Sequence, residues 1–351
     1  AVSILLYGFL NYFKPGRADL EPLFTAIGIA FIFVIPAFTM NAFAKEKNLG
    51  TMEFILSKPV SIVEYVLGKF LAVVFLVLLL ILITLPFTIA VAASAEQPLD
   101  LGQTIVRYFG GFLLGVSFAS IGLAVSSLFK NETIALLASL IVCTLFIFTG
   151  TGIIPVLDLF SNLSLLRQYQ SISRGVIDLR DLAYFCVFTA SFVSVAYLFV
   201  LKIKHSILGK IFNKSLIITV VVWALTLVIG FLGYLIPGRI DLTSEGLYTL
   251  SDSSKKTVSE LSDTLNIKLF ASTNLPSTLT AYYKTLEDWL KDYSSYSNGK
   301  VVFQIKNPDI SEADRSDADA NNIEPYQLSF SESESSQSST ISYFSLLFKY
   351  K

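Results

Sequence analysis

Apolar residues run along the first two thirds of the chain in blocks too long for the core of a soluble domain. A helix needs about 20 mostly apolar residues to cross the hydrocarbon of a bilayer. Six segments meet that demand: Pro22–Met40, Phe70–Ala93, Tyr108–Phe129, Thr133–Ile154, Leu182–Leu201 and Leu216–Ile236. Residues 1–13 read as the tail of another. None of the six contains Asp, Glu, Lys, Arg or His, which speaks against an ion-coupled pump, whose relay groups sit at membrane depth. Beyond residue 237 the pattern shortens and alternates. Ser251 is placed to cap a helix to about Leu261. Asn266–Ser272 reads as a strand, and Leu279, Tyr283, Leu286, Leu290 and Tyr293 mark an amphipathic helix. After an Asn298–Gly299 turn, Val301, Phe303 and Ile305 alternate along the next strand. Glu312–Asn321 reads as a further helix and Ser331–Thr340 as a polar surface loop. Strand–helix–strand order predicts an α/β domain with parallel pairing.

Composition agrees with a membrane domain followed by a soluble one. The 351 residues are 53% hydrophobic and only 15% charged, against about 25% charge in ordinary soluble domains. The net charge of −1 is a cancellation. Residues 1–237 carry 15 basic and 11 acidic side chains; residues 238–351 carry 11 and 16. Nothing there favours nucleic acid as a partner. Cys143 and Cys186 lie in apolar runs, and the single histidine is His205. A disulfide framework, a metal site or a Ser-His triad is therefore not expected, nor is a cofactor. The chain opens inside an apolar run and closes inside a strand-like one, and so reads as a piece truncated at both ends.

Orientation follows from the loops. With 41–69 in the cytoplasm, the inner loops carry Lys45, Lys47, Lys58, Lys69, Lys130, Lys202, Lys204, Lys210 and Lys214. The outer loops then carry Lys14, Arg17, Arg107, Arg167, Arg174 and Arg180, and the C-terminal domain lies outside the cytoplasm. Within Tyr108–Phe129, the small residues Gly111, Gly115, Ala119, Gly122 and Ser126 recur every three or four positions. That spacing lets helices approach closely, as packing or as the lining of a path. Pro36 and Pro86 fall within spans and free carbonyls there.

Residues 41–69 (NAFAKEKNLGTMEFILSKPVSIVEYVLGK) are amphipathic and broken at Gly50 and Pro59. As physics alone they make an interfacial anchor, with Phe43, Phe54, Ile55 and Leu56 in the interface and Lys45, Glu46, Lys47 and Glu53 in water. The pattern E-K-x-x-G-T-M-E-x-x-L-x-x-P, followed by V-L-G-K, resembles the cytoplasmic segment of ABC-2-type permeases. Glu46, Gly50, Thr51, Glu53, Leu56, Pro59, Gly68 and Lys69 carry the match. The resemblance implies a coupling segment on which a separate ATP-binding subunit docks. It assigns Glu46, Gly50, Thr51, Glu53 and Pro59 to that contact.

A second match is Ser171–Asp181 (SISRGVIDLRD). It resembles a segment of the gliding-motility (GldF-like) permeases and singles out Arg174, Gly175, Asp178, Arg180 and Asp181. As physics, the segment reads as a helix lying on the outer surface of the bilayer with local ion pairs. A third match, Arg239–Ser251 followed by Ile267–Phe270 and Lys300–Pro308, resembles the auxiliary (GldG-like) subunit of the same system.

The expected fold is thus a polytopic α-helical membrane domain of ABC-2 permease type, then an extracytoplasmic α/β domain. The expected domains are a permease over 1–209, an auxiliary-type helix over 210–237 and the α/β domain over 238–351. What the resemblance implies is a permease in the bacterial cytoplasmic membrane, working with an ATP-binding subunit and a second permease copy. Motility or cell-envelope proteins are further implied partners. The Gly-Lys pairs at 68–69, 209–210 and 299–300 are not followed by Ser or Thr, so no P-loop is formed and the chain is not expected to hydrolyse ATP. The alternative is a membrane-anchored scaffold without transport. In the C-terminal part, Asp241, Glu245, Asp252 and Asp263 read as solvated rather than catalytic. Tyr282, Tyr283, Trp289 and Tyr293 read as core rather than sugar-stacking.

Overall fold

The computed structural model describes residues 20–94, 99–149, 160–204, 210–233, 238–243, 246, 248–272, 275, 277–333 and 336–350. The apolar run 1–13, the loop from Pro155, His205 and Glu245 lie outside them. The chain divides into two compact units, residues 1–244 and 245–351.

The first unit is helical. Its elements are α1 (Glu21–Thr39), α2 (Ala44–Asn48), α3 (Thr51–Leu56), α4 (Ile62–Leu82), α5 (Leu85–Ser94), α6 (Leu101–Leu128) and α7 (Glu132–Phe148), followed by α8 (Leu165–Ser173), α9 (Leu179–Lys204) and α10 (Lys210–Leu232). Five helical stretches among the described residues are long and apolar enough to cross a membrane; α7, with 17 residues, is shorter. The break between α4 and α5 follows from Pro86. Proline has no N–H to offer the Leu82 carbonyl, so α4 ends there and Pro86 takes the first turn of a new helix. Upstream, α4 starts eight residues before Phe70, at a reciprocal cap. Ser61 Oγ accepts from the Glu64 N–H (3.2 Å) and the Glu64 carboxylate from the Ser61 N–H (3.0 Å).

Helix α6 is the hub, packed by α1, α4, α7, α8 and α9. Its small residues decide how close they come. A Cβ on Gly115 would sit 2.5 Å from Val77 Cγ1 and 3.0 Å from Phe31 Cε2; one on Gly122 would sit 2.0 Å from Thr39 Oγ1. Ala119 is fully buried. Gly111 departs from the expected stripe, since a Cβ there meets nothing within 4 Å. Helix α10 is fastened along α9 by Ser191 Oγ and Thr226 Oγ1 at 2.6 Å and by Phe192 edge-on to Trp223 at 5.0 Å.

The Ser171–Asp181 segment is not the surface-lying helix expected of it. α8 ends at Ser173, Gly175 turns the chain at φ +98, and β1 (Val176–Asp178) pairs antiparallel with β2 (Arg239–Asp241). The apolar face of α8 is spent on protein rather than lipid, with Leu165, Tyr169 and Ile172 buried and Ile172 against Gly110 of α6. Gly175 is required twice over. Its φ is left-handed, and a Cβ would come within 2.7 Å of Thr243 Cγ2.

The second unit is α/β. Its elements are α11 (Asp252–Ser259), β3 (Leu265–Ala271), α12 (Ser277–Tyr296), β4 (Val301–Lys306), α13 (Glu312–Ala320), β5 (Tyr326–Ser333), β6 (Ser336–Ser342) and β7 (Phe344–Tyr350). The main sheet has the order β4-β3-β7, with β3/β4 parallel and β3/β7 antiparallel. One face, with Ile267, Leu269 and Val301, is covered by Val258 of α11 and Leu290 of α12. Phe270 packs with Ala318 of α13 on the other. Tyr283 and Tyr293 join the first core as expected, whereas Tyr282 is exposed. Trp289 and Tyr293 line an apolar cavity of about 270 Å³. The serine-rich run is not a loop: β5 and β6 form an antiparallel hairpin. Residues 331–340 offer no apolar alternation, so pattern reading passes over them, although Tyr326, Leu328 and Phe330 alternate just before.

Charge fixes α13 to the sheet. Lys306 Nζ lies 2.8 Å from Asp314 Oδ1 and Lys268 Nζ 2.6 Å from Asp317 Oδ2. These ammonium donors, with the Asn307 N–H on Asp314, hold both carboxyls below the usual carboxylate range. A carboxyl whose value is lowered on folding stabilises the fold above its unfolded value of about 3.9 and stops doing so as pH falls through the lowered one. Acid should therefore open this unit to protease below about pH 4. Asp317→Asn should flatten that dependence; an unchanged acid profile would contradict the pairing.

Candidate functional site

The segment singled out by its motif, residues 41–69, forms a rigid elbow at one end of the helical unit. After α1 the chain turns through residues 40–43, and one hydroxyl on α6 organises the turn. Ser126 Oγ accepts from the N–H groups of Phe43 (3.0 Å) and Ala44 (3.1 Å) and donates to the Met40 carbonyl (2.9 Å). These are buried groups that would otherwise lack partners. Helix α2 then runs to Asn48, Gly50 reverses the chain at φ +70, and α3 follows. Glycine suits that left-handed position.

The inner face of the elbow is apolar. Phe43, Met52 and Leu56 are buried with Ile62 and Val66 of α4, Leu123 of α6, and Ala196, Val200 and Leu201 of α9. Burial of large side chains such as these is worth about 1.5–3 kcal/mol each, so the elbow is bonded to the ends of three long helices at once.

Polar contacts add a latch. Lys69 Nζ lies 2.6 Å from Glu46 Oε1 and also donates to the Ala42 carbonyl, and the Tyr65 hydroxyl donates to Glu46 Oε2. The same ammonium sits 5.1 Å from the ring centres of both Phe43 and Tyr65. Lys204 of α9 reaches the Val60 carbonyl at 3.3 Å.

The predicted docking residues consequently separate. Gly50, Thr51, Glu53 and Pro59 lie on the outer face, while Glu46 turns inward to Lys69 rather than facing water. The interfacial reading is also corrected: Phe43 and Leu56 are buried in protein, and the outward apolar groups are Leu49 and Phe54, about 64% and 65% exposed. Lys58 lies over the Phe54 ring at 4.7 Å. Sequence reasoning missed the roles of Tyr65, Lys69 and Ser126. Lys69 stood in the motif, but its partner is 23 positions away and no periodicity links them.

At the other end of α6, the second set of motif residues meets the third. β1 and β2 place Asp178 opposite Arg239, with Arg239 Nε 3.1 Å from Asp178 Oδ1. Arg180 contacts Asp178 (3.6 Å) and Asp181 (3.1 Å). Asp181 is fully buried, and its Oδ2 has no hydrogen-bond partner among the described residues. Arg174 reaches Ser171, and the carbonyl of Arg174 accepts from Gln103. Asp241 accepts from Thr243 in the first unit, and Asp252 pairs with Lys255 in the second. Among the described residues no three metal-ligating side chains cluster.

Comparison with known proteins places both parts. Residues 244–349 match a domain of unknown function (DUF7088). No curated protein and no solved structure matches the chain. Residues 4–232 match the ABC-2 family transporter proteins, the membrane component of ABC transporters, which has no ATPase of its own and implies an ATP-binding partner and a lipid bilayer. The apolar helices and a match over more than half the length agree: the chain belongs to the ABC-2 transporter family, as a multi-pass membrane permease.

Proposed function

We propose that residues 41–69 are the docking segment through which a separate ATP-binding subunit drives this permease. The observation that supports it is the division of labour in the elbow. Its outer face offers Leu49, Gly50, Thr51, Glu53, Phe54 and Pro59 to a partner, while its inner face is fixed to α4, α6 and α9. A force applied to α3 is thereby passed to three long helices rather than absorbed by a loose loop. This face lies in the cytoplasm, in keeping with the lysine bias of its loops, and the α/β unit lies outside. The permease works as a pair with a second copy or a related chain.

In the same reading, α10 and the α/β unit correspond to a GldG-like auxiliary subunit joined to a GldF-like permease, serving gliding motility or cell-envelope export. The β1–β2 ribbon supports that union, because it pairs a permease motif with the segment following α10.

Phe54 gives the direct test. Aromatic anchors at interfaces are worth about 2 kcal/mol or more, on the order of 30-fold in affinity. Phe54→Ala should weaken capture of the ATP-binding subunit by that order without changing the thermal stability of the permease, because the ring is exposed. Glu53→Lys should weaken it further at low salt. Unchanged co-purification in both variants would leave a scaffold without docking.

A further inference from the structure

Beside the elbow, lysines from three elements gather with no ion-pair partner among the described residues: Lys47 sits on the Ser127 carbonyl, three positions before Lys130, and Lys202 follows Leu201, which packs with Phe43 in the core of the elbow. Lys47 is in the last turn of α2, Lys130 lies in the turn between α6 and α7, and Lys202 is in the last turn of α9. The half-buried Lys47 ammonium donates to the Ser127 carbonyl and feels the like charges of Lys130 and Lys202. None of the three forms an ion pair among the described residues. Of the carboxylates on neighbouring elements, Glu46 is held by Lys69, Glu64 by Ser61, and Glu132 makes no ion pair among the described residues. Grouping like charges beside a low-dielectric region is unfavourable unless an anion offsets them.

The helix that follows Lys130 is apolar on its exposed side. Helix α7 starts two residues after Lys130 and exposes Ile134, Leu137, Ile141 and Leu145 along one face. Leu128 and Ile203, beside Lys130 and Lys202, are exposed as well. A positive head joined to an apolar stripe running along the bilayer normal is the complement of a phospholipid, and basic pockets between spans take anionic headgroups.

We propose that Lys47, Lys130 and Lys202 bind the phosphate of an anionic phospholipid whose acyl chain lies along the exposed face of α7. The lipid would neutralise the cluster at the edge of the elbow. This inference rests on the membrane placement of the chain and not on the docking of an ATPase.

The test uses the full chain in phosphatidylcholine nanodiscs containing a minor share of phosphatidylglycerol, with the lipid retained after detergent exchange quantified by mass spectrometry. The unmodified protein should retain phosphatidylglycerol enriched on the order of tenfold over the bulk mixture. K47Q/K130Q/K202Q should return the ratio to bulk, whereas K45Q/K204Q/K214Q, which removes the same charge, should keep it. If the first triple variant fails to fold, K130Q/K202Q, which leaves the half-buried lysine in place, should still lose most of the enrichment.

Equal loss in both triple variants, or no enrichment at all, would overturn the proposal. So would full displacement by millimolar inorganic phosphate, which would make the cluster a free-anion site. Capture of the ATP-binding subunit lost in K47Q/K130Q/K202Q at an unchanged lipid ratio would assign the lysines to a protein partner instead.

Discussion

Gly122→Leu is expected to abolish assembly of the helical unit, and Gly122→Ala to lower its stability by about 1–3 kcal/mol. The reason is local. A Cβ at this position would fall 2.0 Å from Thr39 Oγ1 and 2.8 Å from Thr39 Cβ, far inside contact distance. Thr39 has no room to yield, being fully buried with its hydroxyl donating to the carbonyls of Ile35 and Pro36. Helix α1 would have to move away from α6, and the Ser126 contacts to residues 40–44 lie only one helical turn beyond. Damage at Gly122 therefore spreads to the elbow. Gly111→Ala is the control. Nothing lies within 4 Å of its added methyl, and alanine favours a helix over glycine by about 1 kcal/mol, so this variant should be neutral or slightly stabilised. Thermal unfolding followed by size exclusion in detergent separates the two. Equal melting of Gly111→Ala and Gly122→Ala would refute the packing argument.

That contrast also shows what pattern can and cannot resolve. The recurrence of small residues on α6 located the close-packed helix, because lipid offers no other reason for such spacing. It could not rank the glycines, since the clash depends on which side chain α1 or α4 presents opposite. The spans were legible because the hydrocarbon thickness sets their length; the start of α4 was not, because Glu64 and Lys69 carry charge and read as loop. The β1–β2 ribbon was hidden for another reason. Its strands have three residues each and lie some sixty positions apart, so neither periodicity nor turn chemistry announces it. In the α/β unit α11, α12 and the parallel strands were readable from their apolar spacing, whereas the second strand of the serine hairpin (SQSSTIS) had no apolar phase to read. The elbow was legible as a motif, but the inward turn of Glu46 was not. A carboxylate between two lysines on a short helix looks water-facing until Lys69 and Tyr65 are placed beneath it.

Breaking the Glu46–Lys69 latch is expected to loosen the elbow while leaving the helical unit folded. Both side chains are about a quarter exposed (25% and 21%). The cost of removing one partner should therefore fall below the 3–5 kcal/mol typical of a fully buried pair, at about 1–3 kcal/mol. Lys69→Ala removes the ammonium that neutralises Glu46, the donor to the Ala42 carbonyl and the cation over Phe43 and Tyr65. Glu46→Ala leaves that ammonium against two rings and one carbonyl without its counter-charge. In both variants amide exchange over residues 42–50 should accelerate by about 5–150-fold, the equivalent of that energy, while exchange within α6 stays slow. If the elbow transmits force from the ATPase, both variants should retain the partner subunit and yet lose transport-coupled ATP hydrolysis. A loose α2 lets α3 move without α4. The charge-reversed pair Glu46→Lys/Lys69→Glu should recover part of the protection, since it restores the attraction though not the contact to Ala42. The competing view makes Glu46 a surface contact with the ATPase, and it predicts a different pattern. Glu46→Ala alone would then lose the partner subunit, Lys69→Ala would keep it, and exchange over residues 42–50 would not change in either.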